Sequence, residues 1–439
     1  MLRRKAYDEL LEWKNTHRNK CLMIKGARQV GKTYLVREFG RREYKSFIEI
    51  NFISQKERRA IFDGDLSAEE IYKRMTAQIR DVSLIPGKTL IFLDEIQTCG
   101  NARTAIKFLA EDGRFDVISS GSLLGLTYGE DADGEVEEPE SVPTGYEDFL
   151  TMYSMDFEEF LWAEGYGEAA VSVLREYYEK REPVPAALNE KYETLFREFM
   201  VVGGMPEVVA DYVNHHDFNS VDRIQNRIIE NYRFDISKHA KNTEKIKVRS
   251  CYEAVPKQLA KELKKFQYST VEKGTTAKKY GGSVQWLADS ALVHVCYNVK
   301  EAYLPLYANA VDEQFKLYVN DTGLLCAMYG FETKLALLTS TIQGSAKGGI
   351  YENAVSESLI KRGYRLYYYR PDDSHELEFL LEKDGSVCPV EVKAGNNATL
   401  SLNSFIKKYR PAAAYKLVNG NVGEADGKIT LPHYMVMFI

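Results

Sequence analysis

Apolar residues in the first 125 positions follow two patterns, short unbroken runs and stripes at helical spacing. Unbroken runs are typical of buried strands, whereas apolar residues three or four positions apart indicate amphipathic helices. The runs predict strands at 20–25, 46–52, 89–94 and 115–122, and the stripes predict helices at 5–16, 33–39, 67–80 and 101–111. Strands that alternate with helices indicate an α/β domain built on a parallel sheet.

The pattern changes in the rest of the chain. Residues 167–237 are rich in Tyr, Leu and Val and predict a helical lid and connector. Short helices in 238–280, followed by strand-like pieces at 291–298 and 315–319, are similar to a winged-helix module. The last part predicts a helix, a strand hairpin and further α/β structure. We therefore expect four units, at 1–165, 166–237, 238–340 and 341–439.

Composition and charge narrow the function classes. The 439 residues are 44% hydrophobic and include 29 Tyr, 20 Phe and 3 Trp, which indicates folded domains throughout. A net charge of −6 excludes a wholesale basic coat for nucleic acid, but not a local basic patch. Such a patch occurs at 238–280, where twelve Lys and Arg residues accompany four Glu. It predicts contact with DNA phosphates, with a solvated basic face as the alternative.

Three further features bear on the cellular compartment and on the surface of the protein. The six cysteines form no CxxC pair and predict buried free thiols in a reducing compartment. The N-terminal residues lack an apolar signal region and no window reaches 18 apolar residues, so we expect a cytoplasmic protein without membrane contact. Residues 130–140 contain seven acidic residues, which we interpret as an exposed loop, with a DNA mimic or an acidic tail as the alternative.

The strongest chemical signal is a phosphate-binding loop of the pattern GxxxxGK[ST]. It consists of Gly26, Ala27, Arg28, Gln29, Val30, Gly31, Lys32 and Thr33. The glycines let backbone N–H groups turn toward phosphate oxygens, Lys32 reaches the β and γ phosphates, and the Thr33 hydroxyl is placed to ligate Mg²⁺. A strand precedes this loop and a helix follows it, as a nucleotide site requires. The loop predicts ATP binding.

A second signal lies at the end of the strand at 89–94. Four apolar residues are followed by Asp94 and Glu95. A buried parallel strand would carry Asp94 to its carboxyl end, where Asp94 holds Mg²⁺ and Glu95 polarises the attacking water. This pair, read with the phosphate loop, predicts Mg²⁺-dependent ATP hydrolysis rather than a simple nucleotide kinase.

Six motifs together resemble a known family. They are GARQVGKT at 26–33, LDEIQ at 93–97, SSGS at 119–122, SMDFEEFLWA at 154–163, GGMPEVV at 203–209 and FKLYVNDTGLL at 315–325. Over essentially the whole chain they resemble prokaryotic AAA-type ATPases whose C-terminal part is a domain of unknown function. The resemblance implies that Ser120 or Ser122 contacts the γ phosphate or the attacking water. It also suggests Asn51 as a polar partner of the catalytic acid, although an ordinary strand-end Asn is the alternative.

The last unit carries a second set of charged residues. Glu352 lies in the predicted helix, Glu378 lies in the hairpin strand at 376–381, and Glu391 and Lys393 share one face of the next strand. This arrangement resembles the PD-(D/E)xK nuclease core, which implies that Glu378 and Glu391 hold Mg²⁺ while Lys393 steadies the attacking water. Glu378 replaces the shorter Asp that is usual at its position. Because many copies of this fold bind without cutting, nuclease activity stays open.

The sequence therefore predicts an Mg²⁺-dependent ATPase with Lys32, Thr33, Asp94 and Glu95 at its centre. Two uses of ATP hydrolysis remain open, namely DNA binding or processing, and a slow switch that gates a protein partner through a non-cleaving C-terminal domain. No arginine could be assigned to the γ phosphate from the sequence. A neighbouring subunit could supply one, which would imply a homo-oligomer.

Overall fold

A computed structural model describes residues 2–16, 19–122, 144–239, 244–395 and 399–439. The acidic run at 130–140 lies outside these residues. Within these residues the protein is an α/β molecule with two sheets, and a series of helices lies between the two sheets in sequence order. Among the described residues, no helix combines the length and the apolar character needed to cross a bilayer.

The N-terminal sheet has five parallel strands in the order β2, β3, β4, β1, β5. Its strands are β1 (Cys21–Gly26), β2 (Ser46–Asn51), β3 (Thr89–Asp94), β4 (Asp116–Ser122) and β5 (Glu147–Thr151). The accompanying helices are α1 (Lys5–Thr16), α2 (Lys32–Glu43), α3 (Ala68–Gln78) and α4 (Gly100–Asp112). Every residue of β3 is buried, as expected for an apolar strand covered on both faces. The predicted parallel α/β domain is confirmed.

Five helices follow the first sheet. They are α5 (Phe157–Ala163), α6 (Glu168–Lys180), α7 (Ala186–Val202), α8 (Pro206–His215) and α9 (Phe218–His239). Helix α5 begins with a capping box, in which the Asp156 side chain accepts from the Glu159 N–H and the Glu159 side chain accepts from the Asp156 N–H. The motif SMDFEEFLWA thus contains the N-cap residue of the helix that it forms.

The second sheet is mixed and has eight strands in the order β12, β13, β11, β10, β9, β8, β6, β7. Its strands are β6 (Val293–Val299), β7 (Ala310–Val319), β8 (Tyr367–Tyr369), β9 (Leu377–Lys383), β10 (Ser386–Lys393), β11 (Tyr415–Val418), β12 (Gly423–Ala425) and β13 (Lys428–Pro432). Its helices are α10 (Lys245–Leu259), α11 (Tyr268–Val271), α12 (Ala277–Asp289), α13 (Thr322–Tyr329), α14 (Phe331–Leu338), α15 (Ser345–Lys361) and α16 (Leu400–Tyr409).

The hairpin of β6 and β7 bears on the predicted boundary at residue 340. Strand β6 pairs with β7 on one side and with β8 on the other, where Tyr297 lies opposite Tyr367. The hairpin is therefore part of the C-terminal sheet, and the units expected at 238–340 and 341–439 share one sheet. The backbone hydrogen bonds of β6 require a partner on each side, and β8 is the partner that the linear pattern did not reveal.

A buried polar network joins distant parts of the chain, and we call it the joint. Asp321, just before α13, accepts from the Gly204 N–H at 2.7 Å and from the Leu324 N–H at 3.0 Å. A Cβ on Gly204 would lie 2.0 Å from the Met155 carbonyl oxygen, so the close approach of the GGMPEVV segment requires glycine. The joint connects the helical layer to the segment before α5.

Helix α15 completes the joint from the C-terminal side. Glu357 accepts from the N–H of Thr322 at 2.9 Å and from its hydroxyl at 2.7 Å. Lys361 pairs with Glu357 and donates to the Ser154 hydroxyl at 3.0 Å and to the Met155 carbonyl at 2.8 Å. Four separate segments therefore meet in one buried network, which connects the nucleotide domain to the C-terminal sheet.

Candidate nucleotide site and C-terminal carboxylate cluster

The phosphate loop lies between β1 and α2, where the sequence predicts it. Gly31 has φ of 94°, a left-handed conformation that glycine adopts without strain, and α2 begins at the next residue. The Lys32 ammonium donates to the carbonyls of Gly26 at 3.0 Å and Ala27 at 2.9 Å. The pKa of Lys32 is lowered to about 8, mainly because the ammonium group is buried; the charges of Glu95 and Asp94 oppose this shift, and the charge of Arg28 adds to it. A bound phosphate would replace the carbonyls as a stronger partner for this cation.

Asp94 is the most enclosed group of this site. Its carboxylate is buried and accepts from the Thr33 hydroxyl at 3.1 Å, from the Asn51 amide at 2.8 Å and from the Ser120 hydroxyl. The strand register explains the meeting, because Asn51 lies opposite Asp94 across β2 and β3, and Ser120 lies opposite Asp94 across β3 and β4. Three donors hold this carboxylate in position for a metal.

Two polar residues at strand ends contact Asp94. Ser120, expected at the γ phosphate or the water, donates to the Asp94 carboxylate, and its contact with a nucleotide stays a prediction. The side chain of the alternative residue, Ser122, lies outside the described atoms. Asn51, suggested as a partner of the catalytic acid, also contacts Asp94 rather than Glu95. The Gln97 amide takes that place and donates to Glu95 at 2.7 Å. The sequence indicated this contact only through the presence of a glutamine two positions after Glu95.

Glu95 lies just beyond the end of β3, in a left-handed conformation with φ of 56°. Its side chain lines the same cavity as Lys32 and Thr33, and the Gln97 contact orients the carboxylate. A carboxylate at this edge can accept a proton from water that approaches a bound phosphate. The placement fits the predicted role of a general base.

The cavity above the loop has a volume of about 1040 Å³. The phosphate loop and α2 contribute part of its lining, and the N-terminal segment, Trp162 and the α8 residues Pro206, Glu207, Ala210, Val213 and Asn214 contribute further parts. The Arg3 guanidinium lies 4.3 Å from the Trp162 ring centroid. The cavity is large enough for a nucleoside triphosphate, and its lining combines charged side chains with apolar ones such as Trp162 and Val213.

Two arginines brace the phosphate loop, and the sequence did not single out either contact. Arg4 is buried, pairs with Glu159 at 3.1 Å and donates to the carbonyls of Val30 at 3.1 Å and Tyr153 at 2.7 Å. Arg28 pairs with Asp235 of α9 at 2.8 Å. No sequence signal could have linked Asp235 to the loop, because the two lie far apart along the chain.

The residues of this site suit Mg²⁺. The Thr33 hydroxyl and the Asp94 carboxylate are oxygen donors that lie side by side, and Mg²⁺ prefers one or two carboxylates together with hydroxyl, phosphate and water oxygens. The carboxylate needs no rearrangement of its backbone to serve as a ligand, since the surrounding strands hold it. The donor set therefore fits the metal that the phosphate loop implies.

The C-terminal domain brings together the four residues predicted from the nuclease resemblance. Lys393 lies 3.3 Å from Glu378 and 3.4 Å from Glu391, and the Glu378 carboxylate also accepts from the Val392 N–H at 3.0 Å. Glu352 of α15 joins them on the same side of the sheet, where its charge acts on Glu378. The predicted assembly of these residues is thus present.

Two lysines that the sequence did not suggest also belong to this cluster. Lys264 pairs with Glu352 at 2.8 Å, and Lys316 of β7 lies 3.5 Å from Glu352 and 2.7 Å from Glu376. The Lys316 side chain is fully buried. The sequence indicated the role of Lys316 only through its position at an inward-facing site of the apolar strand FKLYV.

The charges of the carboxylate cluster oppose a metal in this arrangement. Although burial alone would raise it, the ammonium groups of Lys316 and Lys264 hold the pKa of Glu352 below its usual value. Burial raises the pKa of Glu391 to about 7, although Lys393 opposes the shift. No group of three metal-ligating side chains occurs within the described ranges. A lysine ammonium group thus already pairs with each of Glu352, Glu378 and Glu391, and the residues do not fit the metal that the nuclease resemblance implies.

Comparisons with known proteins agree with the geometry of the first site. The family model of an AAA domain matches residues 18–161. Two models, each described as a domain of unknown function, match residues 193–335 (DUF8612) and 347–434 (DUF4143). The search of the curated proteins found no match.

Three solved structures are similar to the chain at low identity. The Walker-type ATPase PABY2304 of Pyrococcus abyssi is 14% identical, with a TM-score of 0.43, over 75% of this chain and 96% of that one. The Orc1 protein of Aeropyrum pernix in complex with DNA is 13% identical, with a TM-score of 0.28, over 77% and 94%. The Pif1 helicase of Candida albicans is 11% identical, with a TM-score of 0.26, over 44% and 47%. The family matches and the geometry of the phosphate loop together support an AAA-type ATPase that carries further domains of unknown function.

Proposed function

We propose that the protein binds ATP in the cavity above the phosphate loop and hydrolyses it to ADP and phosphate with Mg²⁺. One observation carries this proposal. Lys32, Thr33 and Glu95 come from two separate segments and line one cavity of suitable size, and Asp94, which precedes Glu95, accepts from the Thr33 hydroxyl.

Each residue has a distinct part in the proposed reaction. The loop N–H groups and Lys32 bind and orient the phosphates, while Thr33 and Asp94 would hold Mg²⁺. When bound, Mg²⁺ withdraws charge from the phosphate oxygens. Water attacks the γ phosphorus and its proton passes to Glu95 and then to solvent. The bond from the γ phosphorus to the bridging oxygen breaks, and ADP leaves with the electron pair.

Steady-state phosphate release with Mg²⁺ tests the proposal. Lys32→Ala should abolish ATP binding or hydrolysis, and Glu95→Gln should retain binding but lose hydrolysis by about 100-fold or more. Lys73→Ala serves as the control, because Lys73 lies on α3 and pairs with Glu70 at the surface. Unchanged hydrolysis in Lys32→Ala would sink the assignment of the phosphate loop.

We propose DNA as the partner of the basic segment, with a protein partner as the alternative. Several lysines at 238–280 pair with neighbouring glutamates, for example Lys247 with Glu244 and Lys279 with Glu272. Lys257, Lys273 and Lys278 remain exposed and support phosphate contact. Duplex binding measured by fluorescence anisotropy should weaken as salt rises, and Lys273→Glu with Lys278→Glu should weaken it further. Binding that is insensitive to both changes, with no stimulation of ATP hydrolysis by DNA, favours the protein-gating switch.

The C-terminal domain is proposed to bind without cutting. Lys264, Lys316 and Lys393 form ion pairs with its carboxylates, which supports a packed core rather than an open metal site. Incubation of the protein with DNA and Mg²⁺ should yield no cleavage. Cleavage that disappears in Glu391→Ala would contradict this proposal, and cleavage that survives Glu391→Ala would place a nuclease site elsewhere.

A further inference from the structure

Four arginines line the nucleotide cavity within the described residues, namely Arg3, Arg4, Arg28 and Arg37. Contacts with other residues hold three of them in place. Arg37 makes a bidentate pair with Glu49, and Arg3 lies on the Trp162 ring. Arg4 has one carboxylate and two carbonyl partners. Arg28 differs because it belongs to the loop that would enclose the phosphates.

The backbone and the side chain of Arg28 are held separately by α9. The Tyr232 hydroxyl donates to the Arg28 carbonyl at 3.1 Å, and the Arg28 guanidinium pairs with the Asp235 carboxylate at 2.8 Å. The Arg28 side chain is about one third exposed, whereas the Asp235 side chain is buried. The guanidinium can therefore change partner while the loop backbone stays anchored.

The charge of Arg28 acts on Lys32, the residue expected to bind the β and γ phosphates. It lowers the pKa of Lys32, so the two cations repel each other across the floor of one cavity. A bound polyphosphate would relieve this repulsion and offer the guanidinium planar oxygen pairs, which arginine binds with two parallel hydrogen bonds. A competing phosphate would thus draw Arg28 away from Asp235.

We infer that Arg28 is the arginine that stabilises charge on the γ phosphoryl group during hydrolysis, with Asp235 as its counter-ion between turnovers. This inference rests on the proposed ATPase function. As the bond to the bridging oxygen breaks, negative charge spreads over the oxygens of the γ phosphoryl group and of departing ADP, and a fixed cation lowers the free energy of that state. The site is then complete within one chain.

Kinetics of three variants test the inference. Arg28→Ala should reduce kcat by about 100-fold or more, in the range known for removal of a charge-stabilising arginine, while the Kd for ATP changes less than tenfold. Arg28→Lys should restore only part of kcat, because an ammonium cannot bind two oxygens in parallel. Asp235→Asn should leave kcat within about threefold of the wild type, since the guanidinium keeps its place in the loop. Arg41→Ala, an exposed position on α2, is the control.

The outcomes distinguish a failure of the Arg28 inference from a failure of the proposed ATPase function. If wild-type protein hydrolyses ATP and Lys32→Ala does not, but Arg28→Ala retains kcat within threefold, the role of Arg28 is refuted and the ATPase stands. If Arg28→Ala and Asp235→Asn lower kcat equally, with matching losses of thermal stability, the pair is structural and the inference fails. Absence of hydrolysis in the wild type refutes the proposed function itself.

A mixing experiment tests action within one chain. Arg28→Ala and Lys32→Ala are each expected to be inactive, and an equimolar mixture should stay inactive if both residues serve the same chain's site. Recovery of a substantial fraction of wild-type activity would show that Arg28 acts on a neighbouring subunit, contrary to the inference.

Discussion

Replacement of Lys361 by Met tests how strongly the joint holds the molecule together. The Lys361 side chain is 6% exposed and its partner Glu357 is 2% exposed, so the variant would leave a carboxylate buried without its cation. Removal of one member of a buried pair costs about 3 to 5 kcal/mol of unfolding free energy. Hydrogen bonds to Ser154 and Met155 would also be lost, and the charge of Lys361, which keeps the pKa of Asp321 from rising further, would disappear.

A second variant separates the stranded charge from the lost contacts. Lys361→Met combined with Glu357→Gln removes both charges, while the glutamine oxygen can still accept from Thr322. The double variant should recover about 2 kcal/mol or more relative to Lys361→Met alone. Lys180→Met, an exposed lysine paired with Glu176 on α6, should cost less than about 0.5 kcal/mol.

Urea unfolding provides the assay, followed in parallel by circular dichroism and by the fluorescence of the three tryptophans. If Lys361→Met shifts the unfolding free energy by less than about 1 kcal/mol, the buried-charge reasoning is refuted. A double variant as unstable as Lys361→Met would refute it as well, because the loss would then come from packing rather than from the unpaired carboxylate.

Three further predictions concern pH and the metal site. Because the pKa of Lys32 is lowered to about 8 and a phosphate would raise it, ATP binding at pH 8 should take up a proton, seen in calorimetry as a binding enthalpy that varies with the ionisation enthalpy of the buffer. The pKa of Glu391 is raised to about 7, so its contribution to stability is present below the unfolded pKa of 4.5 and is lost as pH rises through 7. Glu391→Gln should therefore be as stable as the wild type at pH 4.5 and more stable by up to about 3 kcal/mol at pH 8. A stability difference that stays constant with pH would contradict the raised pKa. Ser120→Ala should weaken Mg²⁺ binding, because the Ser120 hydroxyl orients Asp94. The metal concentration for half-maximal hydrolysis should rise several-fold, while ATP binding without metal stays constant.

The nucleotide site was predictable to an unusual extent because its residues lie in two short segments with strict spacing. Glycines and Lys32 in one loop, and Asp94 at the end of an apolar run, need only local structure to be recognised. The helices and strands of the first 125 residues follow for the same reason, since burial imposes a period on each element. The partners of Asp94 needed the strand order, because Asn51 and Ser120 become neighbours only when β2 and β4 flank β3.

The carboxylate cluster shows the opposite case. Glu352, Glu378, Glu391 and Lys393 could be predicted from a family resemblance, but their chemistry depends on Lys264 and Lys316, which arrive from other elements. A linear pattern contains no information on which cation faces a carboxylate across a folded core. The electrostatic state of a buried group is set by all charges within a few ångströms, whatever their distance along the chain.

Local periodicity and motif spacing were thus sufficient for the α/β class, the phosphate loop and the acidic pair at the end of β3. The tertiary structure decided the shared second sheet, the joint of Asp321, Glu357 and Lys361, and the pairing of Arg28 with Asp235. Secondary structure and loop motifs arise from interactions between near neighbours, which sequence spacing records. Contacts between distant segments arise only when burial of apolar faces brings those segments together, and their partners are chosen by shape and charge in the folded state.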